Sequence, residues 1–150
     1  MERHRHSIST KVLREVMLCC VAVLTSCGAR PGSADYELAL PRGYTLFRSS
    51  GHNINITHTN IEFPEIPAKV VETGWNERFI LAKQQLLKNR GDFPSDNFQV
   101  PNPGKYQFWI IDVLNTNRVG PLNEKTFNEQ RKVLGVPNTL KMRPPGVYAK

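Results

Sequence analysis

Tyr106-Gln107-Phe108-Trp109-Ile110-Ile111-Asp112-Val113-Leu114 is the stretch that decides the fold. Phe108 to Ile111 are aromatic or β-branched and uninterrupted, so the run reads as the central strand of a sheet. Asn115-Thr116-Asn117 supplies a tight turn into Arg118-Val119, which makes a hairpin. A helix follows at once. Asn123 is a favoured N-cap and Glu124 sits where the helix dipole favours a carboxylate, while Leu122 and Phe127 occupy the two staple positions. Phe127, Arg131 and Leu134, joined by Val133, form its apolar stripe. Gly135 and Pro137 end it.

Upstream of that run the chain reads as further short strands. Tyr36–Leu40 and Tyr44–Arg48 are β-prone and separated by the turn Pro41-Arg42-Gly43. In His52–Thr59, Ile54 and Ile56 point one way, with Asn53, Asn55 and Thr57 facing water. Pro64 and Pro67 break the chain, Lys69–Glu72 resumes it, and Gly74-Trp75-Asn76-Glu77 turns it into Arg78–Gln85. The stretch 89–105 is rich in Gly, Pro, Asn and Asp and reads as a long surface loop, a natural partner-contacting element. The fold class is therefore α+β: an antiparallel sheet of about five to six strands, one face covered by the helix at Asn123–Leu134.

The N-terminus carries a different message. Arg3, Arg5, Lys11 and Arg14 precede the uncharged run Val16–Leu24, and Leu24-Thr25-Ser26-Cys27 follows. Such a run reaches roughly half of a ~30 Å hydrocarbon core, which suits a cleaved signal better than a permanent span. Small residues before Cys27 fit a peptidase cleft, and its thiol is the nucleophile that takes a diacylglyceryl group in bacterial lipoproteins. Cleavage after Ala29 by an ordinary signal peptidase, which would release the protein, is the competing reading. Cys19 and Cys20 lie inside the discarded run, so the exported chain keeps Cys27 as its one thiol and no internal disulfide. Thioether lipidation blocks that thiol, and two or more acyl chains at ~0.8 kcal/mol per buried CH₂ hold a protein at a membrane.

These features divide the chain into a signal peptide (1–26), a lipidated cysteine with its tether (27–35), one α+β domain (36–136) and an irregular tail (137–150). Gly28, not Asp, follows Cys27, so a two-membraned bacterium would pass the protein to its outer membrane. The exported part has sixteen Lys and Arg against eleven Asp and Glu. Those charges are scattered, which favours solubility and mild affinity for anionic lipid or wall polymer over nucleic acid.

Chemistry is sparse. His52 and His58, spaced by six, share a strand face with Ile54 and Ile56 and match no metal pair. Ser49-Ser50-Gly51-His52 brings hydroxyls near an imidazole without an elbow motif, and reads as a turn. Asp112 reads as the polar position where its strand begins the hairpin, or else as a carboxylate at a cleft. Glu62 and Glu65 flank prolines and are paired by proximity alone. Trp75, Phe79, Phe108, Trp109 and Phe127 read as core, with an aromatic binding surface the alternative. No catalytic residue, metal ligand or cofactor is assigned.

Several segments together carry a likeness: Gly43-Tyr44 with Arg48-Ser49, Val70-Val71-Glu72 through Trp75-Asn76-Glu77-Arg78-Phe79-Ile80-Leu81-Ala82-Lys83, and Trp109-Ile110-Ile111-Asp112 leading to Gly120-Pro121-Leu122 and the helix. Over residues 36–136 the chain resembles a family of small bacterial proteins, many of them lipoproteins, known only as a domain of unknown function. The resemblance implies a shared fold and brings no catalytic residue with it. The expected function is a membrane-anchored envelope lipoprotein, a non-enzymatic accessory or interaction domain whose partner is an envelope protein or cell-wall polymer. An immunity or inhibitor protein against an exported toxin or hydrolase is the second reading, and a minor hydrolase using His52 the third.

Overall fold

The computed structural model describes residues 35–62, 65–91, 95 and 97–149, so Cys27, the signal sequence and most of the tether lie outside the described residues. Seven strands and one helix follow in order: β1 (Tyr36–Ala39), β2 (Tyr44–Arg48), β3 (Ile54–His58), β4 (Val70–Trp75), β5 (Phe79–Asn89), β6 (Gln99–Asp112), β7 (Asn117–Leu122) and α1 (Glu124–Val133). All pairings are antiparallel. The expected single sheet of five to six strands is instead two sheets, β1-β2-β3 and β4-β5-β6-β7. The segment after β3 makes the break. Ile66 exchanges two backbone hydrogen bonds with Ile56 on the first sheet, and Lys69 exchanges two with Gln85 on the second. The chain thus steps from one sheet to the other instead of adding a neighbour to β3.

This split explains why the two most apolar strands are continuous rather than alternating. Ile80, Ala82, Trp109 and Ile111 face the first sheet and share a core with Leu40, Tyr44, Leu46, Ile54 and Ile56. Phe79, Leu81, Phe108 and Ile110 face the other way, onto Phe127 of α1 and Val136 beyond it. Both faces of β5 at Phe79–Ala82 and of β6 at Phe108–Ile111 are therefore dry, and unbroken apolar runs mark strand segments buried on two sides. Each side chain so buried contributes about 1.5–3 kcal/mol of transfer free energy. Three layers result, with the four-stranded sheet in the middle and without the open face that the single-sheet reading offered to a partner.

Three local expectations are corrected. The loop expected at 89–105 is shorter and begins and ends in strand: β5 extends to Asn89, β6 starts at Gln99, and Asn89 pairs with Gln99, Lys88 with Val100, Leu87 with Pro101. Pro101 and Pro103 are tolerated because β7 pairs with β6 only from Phe108 onward, which leaves that edge of the arm without a partner needing their missing N–H groups. Gly74 and Trp75, expected in a turn, end β4. The turn is closed instead by Asn76, whose Oδ1 accepts from the Arg78 and Phe79 amides at 3.0 and 2.7 Å. Asn55 does lie opposite Ile54 and Ile56 on the strand, yet it is buried, its amide donating to Asn53 Oδ1 at 3.1 Å.

The helix closes as its sequence dictates. Asn123 Oδ1 accepts from the Thr126 amide at 2.9 Å. At the other end the Gly135 amide reaches Lys132 O and the Val136 amide reaches Arg131 O, with Gly135 at φ 72°, the paired bonds of a Schellman stop. Val133, expected in the stripe, is 77% exposed, because the turn toward Val136 places Leu134 and not Val133 over the sheet. Beyond the helix the chain returns to β4. Thr73 and Arg143 exchange backbone bonds of 2.9 and 2.8 Å, and the Tyr148 hydroxyl donates to Thr73 O while its ring lies 4.5 Å from that of Trp75. Gly74 permits this approach, since a Cβ there would collide with the Lys141 carbonyl. Among the described residues no helix is long and apolar enough to cross a membrane.

Candidate functional site

The polar residues singled out in the sequence fall into two groups: those committed to the framework and those left on the surface. Asp112 belongs to the first. It is 3% exposed and accepts from Arg78 Nη2 at 2.9 Å, Arg78 Nε at 3.3 Å, Asn115 Nδ2 at 2.8 Å and the Leu114 amide at 3.2 Å. The Arg78 bond, followed by those from Asn115 and Leu114, outweighs burial and holds its carboxyl below the usual carboxylate range. Asp112 ties the β4–β5 turn to the β6–β7 turn, and no oxygen of it is turned to a cleft. Glu65 is committed likewise, to Arg118 at 3.1 Å, while Glu62 is exposed, so the two glutamates do not form a pair.

The aromatic residues are core, on both sides of the middle sheet rather than on the helix side alone. Phe79, Phe108, Trp109 and Phe127 are buried and Trp75 is partly so. Trp109 turns away from α1, and its Nε1 donates to Gln84 Oε1 at 2.8 Å, whose amide donates in turn to Ala68 O at 2.9 Å. Gly120 lies against the same indole, where any Cβ would press on the ring.

The two histidines have separate surroundings. His58 packs on Tyr44, ring centroids 4.6 Å apart, and its Nε2 lies 3.2 Å from Arg42 O. Burial raises the Tyr44 hydroxyl above its ordinary pKa, with Glu65 adding to the rise and Arg118 opposing it. His52 instead stands at the mouth of a cleft of about 280 Å³, lined by Ser50, His52, Asn53, Ala68, Leu87, Phe98 and Gln99. The β2–β3 turn forms one wall and the far end of the β5–β6 arm the other.

Its turn wall is built for position. Ser50 Oγ accepts from the Asn53 amide at 2.9 Å and the His52 amide at 3.3 Å, and Ser49 Oγ accepts from Asn53 Nδ2 at 2.7 Å. Both serines thus serve the turn, as the sequence implied, and among the described residues no bond joins either hydroxyl to the His52 ring. Among the described residues no carboxylate lines the cleft to orient an imidazole. Among the described residues no group of three His, Cys, Asp or Glu could hold a metal. The cleft can enclose a small group and hydrogen-bond to it; Ser50 and His52 both line it, but among the described residues no hydrogen bond couples the hydroxyl to the imidazole.

Phe98, Gln99 and Leu87 are the cleft residues that sequence reading missed. Phe98 is 55% exposed and lies edge-on to His52, with centroids 6.4 Å apart, and the Arg90 guanidinium sits 5.1 Å from its ring centre. An exposed Phe within a polar, proline-rich stretch was the available signal.

A family model described as a protein of unknown function, DUF3997, matches residues 41–147, from the turn before β2 to the last described turn. No curated protein and no solved structure matches the chain. Because the match spans most of the chain, including both sheets, the helix and the returning tail, the protein belongs to the DUF3997 family.

Proposed function

We propose that this protein is a lipid-anchored bacterial envelope lipoprotein whose globular part is a binding domain and not an enzyme. The observation that carries the reading is the tetrad Leu24-Thr25-Ser26-Cys27 placed after a basic and then apolar N-terminus, with Cys27 the one thiol left after cleavage. Gly28 directs the protein to the outer membrane in a two-membraned host. The domain side agrees in character: Asp112, Glu65 and the serines of the β2–β3 turn are occupied in holding the framework, and the cleft beside His52 offers contact surface without a reactive pair.

Radiolabelled palmitate fed to cells making the parent and Cys27→Ser tests the anchor. Label and membrane retention in the parent, both lost in the variant, are expected. Equal labelling of the two would remove the anchor from the reading. For the domain, His52→Ala is expected to fold with the melting temperature of the parent. A hydrolytic activity abolished by that substitution, with the melting temperature unchanged, would replace the binding reading with the enzymatic one.

A further inference from the structure

We infer that the cleft between the β2–β3 turn and the β5–β6 arm is a binding site for one neutral sugar residue of a glycan. This deepens the binding-domain reading and rests on it, but it does not depend on the anchor. Three features of the cleft lead there. Among the described residues its lining, Ser50, His52, Asn53, Ala68, Leu87, Phe98 and Gln99, contains no Asp, Glu, Lys or Arg, so these residues offer a charged ligand no paired charge for the hydration it would lose. Its volume of about 280 Å³ falls at the foot of the ~300–1,000 Å³ range of small-molecule pockets, room for a single ring rather than an extended chain. Its lining combines an exposed aromatic ring with uncharged polar side chains.

The apolar part is Phe98 with Leu87 and Ala68. A pyranose presents one face of C–H bonds, and such a face packs on an aromatic ring, which here remains 55% exposed. Groups able to meet hydroxyls stand on both walls: Gln99 beside Phe98 on the arm, and His52 on the β2–β3 turn wall. Among the described residues neither the His52 ring nitrogens nor the Gln99 amide has a hydrogen-bond partner, although both lie at the cleft. Imidazole and carboxamide each supply donors and acceptors without net charge, which suits vicinal hydroxyls or an N-acetyl group. Position is already fixed on the turn wall, because Ser50 holds the His52 and Asn53 amides and Asn53 is clamped between Ser49 and Asn55. A preorganised wall loses little entropy on binding. Arg90 lies over Phe98 and stiffens the ring, and so belongs to the support of the site and not to its lining.

The test is saturation-transfer NMR on N,N′-diacetylchitobiose with the full chain extracted in detergent. Transfer to the C–H protons of one sugar ring is expected, with a Kd of the order of mM, as befits one ring in a shallow site. Phe98→Ala should weaken it at least ~10-fold and Gln99→Ala by a smaller factor, while Val133→Ala, on the exposed side of the helix, leaves it unchanged. Phe98 is half exposed, so its removal spares the fold, and equal melting temperatures establish that. No transfer at ~20 mM sugar, or transfer that Phe98→Ala does not reduce, overturns the site. Stronger binding of a sialylated or uronic-acid saccharide than of the neutral one overturns the ligand class. Palmitate labelling is read separately, so loss of the sugar signal with labelling intact rejects the cleft alone.

Discussion

Four hydrogen bonds end on the carboxylate of Asp112, and they join two turns that are 34 residues apart in sequence. Arg78 is half exposed, so the ion pair by itself contributes little; the amides of Leu114 and Asn115, left without an acceptor, are what removal would cost. Asp112→Asn turns a donor toward Arg78 and is expected to lower stability by about 1–3 kcal/mol, read from urea midpoints at neutral pH. The sign of the pH effect follows from the depressed folded pKa. Stability from Asp112 is present above the unfolded value of ~3.9 and is lost as pH falls from there through the folded value. The gap between parent and variant melting curves should therefore start to narrow as pH falls below about 4 and close below the depressed folded pKa, and a gap that stays constant across that fall would show that the carboxylate charge is not involved. Sequence alone left Asp112 between a hairpin residue and a cleft carboxylate. Its partner Arg78 sits in the β4–β5 turn, 34 residues earlier, and no local pattern joins the two.

Elements vary in how openly their residues announce them. Both ends of α1 were legible because caps are local chemistry: Asn123, Leu122, Phe127 and Gly135 act within one turn of where they stand. Asn123→Ala is expected to cost about 1 kcal/mol, whereas Val133→Lys should change stability by less than about 0.5 kcal/mol despite replacing an apolar residue, since Val133 is in water. Thermal melts of the two variants check both values. The β5–β6 arm was not legible. Pro101, Pro103 and Gly104 look like loop chemistry, and only the absence of β7 along that edge, a fact of tertiary structure, lets them sit in a strand. The cleft was hidden for the same reason, because one of its walls is that arm. The return of the chain to β4 depends on Gly74. Gly74→Ala should expel the Lys141–Arg143 segment and raise hydrogen exchange at the Thr73 and Arg143 amides, with little change at Leu81 or Ile110; protection retained at Arg143 would show that the segment is held elsewhere.

At the scale of the whole molecule, a sheet buried on both faces distinguishes this fold from the single half-covered sheet that the sequence suggested. Both architectures make Phe79–Ala82 and Phe108–Ile111 central, so the apolar runs do not separate them; what separates them is the step at Ile66 to Lys69, where Pro64 and Pro67 signal a break in the chain but not a change of sheet. Ile80 and Leu81 point to opposite layers and are both fully buried. Ile80→Asp and Leu81→Asp should each abolish cooperative unfolding, and a folded protein from either would mean that one face is open. The layers bury most of the large apolar residues described, and the cleft is the described surface to which binding is assigned. Attachment through Cys27 is the central claim about how this protein works. Mass spectrometry of the N-terminal peptide from the membrane fraction tests it most directly: a peptide that begins at Cys27 and carries a diacylglyceryl mass is the expected result, and an unmodified peptide that begins at Arg30 or retains residues 1–26 would contradict it.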